Sequence, residues 1–535
     1  PTRRSSDLFL LLGLATPACA PLVGDSCEVS SDCGRTMFCE RSLPGGYCTA
    51  SCTMTDCPDG SVCVPTGRMG DLCAAGCRDD ADCRADAGYV CDPGRHACVL
   101  PFMTSPALAA CPEPVTSQRP PNTRWEPMQV LTSATTPGAY QFEPSAALAD
   151  DGTLVIVHAG GAATFTDPSF LGVIRVPPSG PPVELPLVTT KRMHFDPWIT
   201  ADRTGALHAV WLGHDGGGVD RNAEVGYVRS SDGGATWTEP TAVHDLADCP
   251  PGATACLDKP MIAAGPQPRV GRGPAPAGDA VRLFYAAGDV GMRMRTSLDG
   301  GRTFAPAVPV VPATYGDVAI DPRGAIHVAA VAGSPRGAAA WGSVDNAILY
   351  VRSIDGATFT APVAITGPGE SVPFFFVNPS LVTDATGQRI HVAYAAGGPD
   401  GAWNLMLASS VDRGATWTRR LLAGTEPACS NHAVPELAMR KSGKLLATWF
   451  EYQGGAGYRA FTTCERDGSG CRPPAPLGPP MATYELVRHS PRWLGEYGAL
   501  VIDERRRRLH AVWTQVLGES PRGVARIVHA VGTGN

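Results

Sequence analysis

Lysine is nearly absent from this chain of 535 residues: only Lys191, Lys259, Lys441 and Lys444 stand among 44 basic side chains. With 51 acidic residues the formal net charge is -7, and no segment gathers its arginines into a basic stripe, which excludes a nucleic-acid partner. Uninterrupted apolar length is also lacking. The stretch LFLLLGLATPA at 8–18 is too short to span a bilayer as a stable helix. Zinc knuckles are missing as well: none of the N-terminal cysteines stand as Cys-x2-Cys, and His96 is the single histidine among them. No metal site is therefore assigned.

Cysteine, glycine and proline are plentiful, at 19, 61 and 50 residues. Residues 1–20 are expected to be foreign to the fold. PTRRSSDL at 1–8 reads as a translated sequencing adapter, and 8–18 as the remainder of a signal-peptide apolar region. Cys19 follows Thr-Pro-Ala, so it is either the lipidated cysteine of an imperfect lipobox or part of a small-x-small cleavage site. Removing Cys19 leaves an even number of cysteines, as disulfides in an oxidising compartment require. The expected location is extracellular or the outer cell surface, with the membrane touched only through a lipid anchor on Cys19.

Twelve cysteines crowd residues 21–99 in three groups of four: Cys27, Cys33, Cys39, Cys48; Cys52, Cys57, Cys63, Cys73; and Cys77, Cys83, Cys91, Cys98. Each group has too few large apolar side chains to bury a core and must be stapled by two disulfides, in one of three connectivities. These modules resemble the short cysteine-rich repeats of secreted proteins, EGF-like and Dickkopf-type. The acidic turns SSDC, MTDC and DADC could hold calcium, but they read first as turns before a cysteine, and no cofactor is assigned. Residues 100–122 are Pro-rich and aperiodic, a linker.

From 123 to 535 a unit of two apolar strands joined by an Asp-x-x-Gly-type turn recurs seven times. Its copies begin near Glu143, Asp196, Lys259, Gly316, Asn378, Val434 and Tyr497, 53 to 63 residues apart. That period predicts an all-β propeller of seven blades, or six if the irregular first or sixth unit is mis-split. The last unit shows no fourth strand, whereas TRWEPMQVL at 123–131 resembles one, so this segment is expected to close the ring.

Within the repeat stand SSDGGATW (Ser230, Asp232, Gly234, Trp237), SLDGGRTF (Ser297, Asp299, Gly301, Phe304), SVDRGATW (Asp412, Gly414, Trp417) and a copy one residue shorter, SIDGATF, with Asp355. Ser and Asp can bond the backbone of a tight turn, Gly supplies its left-handed position, and the aromatic anchors the next strand. The pattern resembles the Asp box, or BNR repeat, of sialidase-like β-propellers. Cys249–Cys256 and Cys464–Cys471 are near enough in sequence to pair, the second replacing an eroded copy of this turn. Cys111 and Cys429 pair by elimination.

Propeller topology puts the Ser-x-Asp turns on one face and the 4-to-1 and 2-to-3 connections on the other, the expected ligand face. Residues entering the first strands there are Glu143, His194, Asp196, Lys259, Asp317, Asn378, His432, Glu496 and Tyr497, with Arg192, Arg221, Arg336, Arg488, Arg492, Trp341, Trp493 and Phe374 to Phe376 in nearby loops. Arginine forks and aromatic planes suit a sugar ring or a carboxylate. Taken singly, such residues read as solvated rims or strand caps. His208, His327, His391 and His510 recur at one position of the second strand, as a repeated packing role requires.

The sialidase resemblance implies three arginines on a carboxylate, a Tyr nucleophile with a Glu, and an Asp acid. The family's early Arg-Ile-Pro motif is replaced here by QFEPSAAL, and Arg175 in VIRVP falls on a third strand. Arg221, Arg336 and Arg492 with Tyr497 and Glu496 remain the alternative catalytic set. The sequence thus points to a monomeric, exported surface protein that binds an extracellular glycan or protein through its loop face. The alternatives are an exo-sialidase or other glycoside hydrolase, and a non-catalytic scaffold.

Overall fold

The computed structural model describes residues 21–34, 37–40, 43–50, 52, 57–65, 71–92, 96–100, 122–132, 140–161, 169–215, 223–244, 257–268, 276–287, 291–332, 347–368, 370, 372, 378–397, 403–424, 431–453, 456–481, 494–518 and 524–534. They fall into two compact units, a cysteine-rich head ending at Leu100 and an all-β unit that runs to the C-terminus. No helix among them is long and apolar enough to cross a membrane.

In the head every group of four cysteines joins its first to its third and its second to its fourth member. The pairs are Cys27–Cys39 with Cys33–Cys48, Cys52–Cys63 with Cys57–Cys73, and Cys77–Cys91 with Cys83–Cys98. Each module carries one hairpin in which two cysteines face each other across the strands, as Cys39 faces Cys48. Tyr47 ties the modules together: its hydroxyl donates to Cys98 O and accepts from Ala75 N, while Arg84 lies over the Tyr47 and Tyr89 rings.

The second unit is a β-propeller. Among the described residues, seven antiparallel four-stranded blades start on the strands Tyr140–Leu148, Met193–Ala201, Leu257–Pro266, Tyr315–Ile320, Ser380–Thr383, Asn431–Met439 and Ala499–Asp503. The first and sixth units each form a complete sheet, so the six-bladed alternative falls. The seventh blade takes its outer edge from Arg124–Trp125 and Gln129–Val130, which pair with Val524–Thr533. The earliest propeller segment thereby covers an edge that would otherwise be open.

The Ser-x-Asp turns close the third-to-fourth-strand connections by one rule. Ser230 Oγ donates to Asp232 Oδ1 (2.8 Å) and accepts from Gly234 N (2.9 Å), and Asp232 accepts from Thr236 N (2.9 Å). The turns at Ser297, Ser353 and Ser410 repeat it. In the short copy the Ser353 hydroxyl reaches Gly356 N three residues on, not four.

Each turn rests on the preceding blade. A Cβ at Gly301 would stand 1.7 Å from Tyr227 Oη, at Gly414 2.5 Å from Tyr350 Oη, and at Gly468 3.4 Å from His391 Nδ1. Three of the recurrent histidines supply that floor: His208 bonds Tyr227 (2.8 Å), His327 bonds Tyr350 (2.7 Å) and His391 bonds Ser409 (2.8 Å); the fourth, His510, bonds His529 (3.0 Å). Cys464 and Cys471 are disulfide-linked beneath the corresponding turn of the sixth blade.

Candidate functional site

First strands line the propeller axis, and four carry a pre-proline residue with positive φ: Glu143 (55°), Asp196 (51°), Lys259 (47°) and Val434 (52°). That conformation costs a non-glycine residue about 1–3 kcal/mol. Each such pair is a bulge, two residues opposite one: Glu143-Pro144 opposite His158, Asp196-Pro197 opposite Trp211, Lys259-Pro260 opposite Tyr285, and Val434-Pro435 opposite Trp449. Proline has no N–H to lose from the ladder here, and the bulge re-aims the side chain before it.

Three blades thereby meet a fourth in one buried cluster. Lys259 Nζ lies 2.6 Å from Asp196 Oδ1 and 2.5 Å from Glu496 Oε2, and Asp196 N donates to Glu143 Oε2 (3.0 Å). Carboxylate oxygens of Glu143, Asp196 and Glu496 lie within 4.8 Å of one another. None of the four residues is more than 6% exposed. Burial and the Asp196 charge push the Glu143 carboxyl well above its ordinary range, and burial raises Asp196 to about 6 against the pull of Lys259. Burial would strip the proton from Lys259, but Asp196 and Glu496 outweigh it and hold the ammonium above its ordinary value. The cation among these carboxylates is thus a lysine.

Other axial side chains stitch four of the first strands to the next blade. Ser145 accepts from Ile199 N (3.2 Å), Asp317 from Leu381 N (2.7 Å), Ser380 from Leu437 N (2.9 Å) and Glu436 from Gly498 N (2.8 Å). Burial raises Asp317 to about 6 and Glu436 to about 8. Tyr497 donates to Pro197 O (2.9 Å), and burial among Glu143, Asp196, Glu496 and Glu436 raises its phenol well above its usual range. Gly495 lets this segment approach: a Cβ there would lie 2.7 Å from Glu143 N.

The expectation of solvated rims is corrected. Glu143, Asp196, Lys259, Asn378, His194, His432, Glu496 and Tyr497 are all buried, and for Glu143, Asp196 and Lys259 the bulges turn the side chains toward the crowded axis. His194 and His432 are equivalent, each three residues before a bulge proline, with Nδ1 on a carbonyl of the preceding blade: Ser169 O (3.1 Å) and Trp403 O (2.9 Å). A carbonyl only accepts, so Nδ1 carries the hydrogen in both. Burial lowers His194 to about 4 and lowers His432. Arg192 is the exposed member of the described set. Arg221, Arg336, Trp341, Phe374 to Phe376, Arg488, Arg492 and Trp493 lie outside the described residues, as do Cys19, Cys111, Cys249, Cys256 and Cys429.

Beside Arg192 opens a cleft of about 700 Å³ on the loop face, between the outer half of the first blade and the start of the second. Phe170, Glu184, Lys191, Arg192 and His194 line it. Phe170 starts a third strand and Lys191 and Arg192 belong to a 4-to-1 connection, so these three stand opposite the Ser-x-Asp turns, with Glu184 on the adjoining fourth strand. Glycines make room: Cβ atoms at Gly160 and Gly213 would lie 2.4 Å from Phe170 Cζ and 3.0 Å from Lys191 Cγ. Phe170 and Lys191 were missed as site residues because their approach depends on glycines in neighbouring strands. The cation pair Lys191-Arg192 in a lysine-poor chain was the available signal.

No family model matches the chain, and no curated protein matches it. Among solved structures, a protein of unknown function from Dyadobacter fermentans is similar over 78% of this chain and 100% of its own, at 13% identity and a TM-score of 0.48. An α-L-arabinanase of Penicillium chrysogenum complexed with arabinobiose is similar over 63% of this chain and 92% of its own (16% identity, TM-score 0.41). A sialidase from Streptococcus pneumoniae is similar over 76% and 70% (10% identity, TM-score 0.41).

Proposed function

We propose that this chain is an exported recognition protein whose propeller binds an extracellular glycan or protein surface through its loop face. The observation that carries the reading is the division of the axis from that face. Glu143, Asp196, Glu496 and Tyr497 are buried and committed to Lys259, to a backbone amide or to a carbonyl, whereas the cleft beside Arg192 is open and lined by an aromatic ring and charges of both signs. Export accords with seven disulfides among the described residues. Lipidation of Cys19 and a monomeric state belong to the same proposal.

A sialidase-like glycoside hydrolase is the second reading, favoured by the convergence of three carboxyls with Tyr497. A tyrosine whose hydroxyl is spent on Pro197 O, with its phenol proton held more tightly than usual, is poorly prepared as a nucleophile. The two readings separate on purified protein. Recognition predicts specific binding to a glycan array or a pulled-down partner with no release of fluorophore from a fluorogenic sialoside between acidic and neutral pH. Turnover that disappears in Tyr497→Phe or Arg492→Ala would overturn it in favour of the hydrolase.

A further inference from the structure

The cleft between the first and second blades is built more firmly than a surface hollow needs to be. Phe170 keeps 39% of its surface exposed, yet its ring sits where a Cβ of residue 160 would be and meets the buried His158 edge-on, with centroids 6.1 Å apart. The same His158 has Nε2 3.6 Å from Glu184 Oε1, so one buried histidine backs both the aromatic and the acidic wall. On the opposite wall Lys191 Nζ is fixed 3.1 Å from Asp215 Oδ2, and Arg192 follows it in the chain, exposed. Below them Ser169 Oγ donates to His194 O (3.2 Å), which pins the second blade's entry to the first blade's third strand.

We infer that this cleft is a subsite for one carboxylated saccharide unit. The sugar's C–H face would lie on Phe170, its hydroxyls would donate to Glu184, and its carboxylate would face Arg192 beside Lys191. A guanidinium fork matches a carboxylate in shape as well as charge, and an aromatic plane takes the apolar face of a pyranose while its hydroxyls stay at the polar rim. The assignment rests on the loop-face reading and narrows it to a place and a ligand class.

The test uses the full chain with trigalacturonate and its methyl ester, which keeps the rings and most hydroxyls but removes the charges, measured by calorimetry and saturation-transfer NMR. The acid is expected to bind about tenfold or more tightly than the ester. Arg192→Ala should erase that preference, and Phe170→Ala should weaken both ligands. These side chains are exposed, and unchanged thermal unfolding would show the variants folded. No binding of the acid, equal binding of acid and ester, or an undiminished preference in Arg192→Ala would overturn the subsite. If a glycan or protein signal nonetheless persists and is lost on substitution elsewhere on the loop face, only this assignment falls. Absence of any signal on that face takes the wider reading with it.

Discussion

Lys259 and Asp196 belong to adjacent blades, each with positive φ before a proline, and their charged atoms meet 2.6 Å apart beside the axis. Local strain in two strands thus brings about a contact that neither strand could make alone, and the contact in turn holds both bulges in place. With Glu496 as its second partner, Lys259 joins the second, third and seventh blades.

Replacing Lys259 by Met should therefore be costly. It strands Asp196 and Glu496 without their cation, and removing one partner of a buried ion pair costs about 3–5 kcal/mol. Urea unfolding would measure the loss. It should be smaller at pH 5 than at pH 8, since acid protonates the stranded carboxyls. An equal loss at both values would argue against a charged cluster.

Glu436 gives a cleaner pH signature. Its folded pKa of about 8 lies above the ordinary 4.5, so the folded chain keeps a proton that the unfolded chain releases. The resulting stability is fully present below pH 4.5 and is lost as pH rises through about 8, at up to roughly 1.4 kcal/mol per unit. Glu436→Gln removes this slope. Unfolding free energies of the two proteins should therefore shift in favour of the variant between pH 5 and pH 9, and parallel curves would contradict the assignment.

Much of this architecture can be read from the chain and some of it cannot, for a definite reason. Blade count, ring closure and turn chemistry are local or periodic: Ser230, Asp232 and Gly234 lie within five residues, and the second-strand histidines recur with the repeat. The roles of Glu143, Asp196 and Glu496 depend on which strands meet at the axis, across separations of up to hundreds of residues. A pre-proline acid on a first strand reads equally well as a rim residue until the bulge fixes where it points. The cleft wall at Phe170 is hidden similarly, since Gly160 that admits it lies on another strand.

The two glycines of one turn should separate packing from backbone strain. Both Gly300 and Gly301 have positive φ, but a Cβ at Gly300 meets nothing within 4 Å, whereas one at Gly301 collides with Tyr227. Gly300→Ala should cost about 1 kcal/mol and Gly301→Ala about 2–4 kcal/mol. Similar losses in thermal unfolding would show that the turn does not rest on the preceding blade.

Tyr497→Phe should lower stability by about 1–2 kcal/mol, because Pro197 O loses its donor in a buried setting. Chemical denaturation checks this. No change would imply that the hydroxyl is free for another role.

The claim that recognition belongs to the loop face is tested most directly by comparing two full-length variants for binding to whatever partner an array or pull-down selects. One carries Phe170→Ala with Arg192→Ala on the loop face, and the other Leu298→Ser with Ile354→Ser on the Ser-x-Asp turns, where both side chains are exposed. Surface plasmon resonance should show binding lost in the first and kept in the second. Binding kept in the first and lost in the second would place recognition on the opposite face and contradict the account.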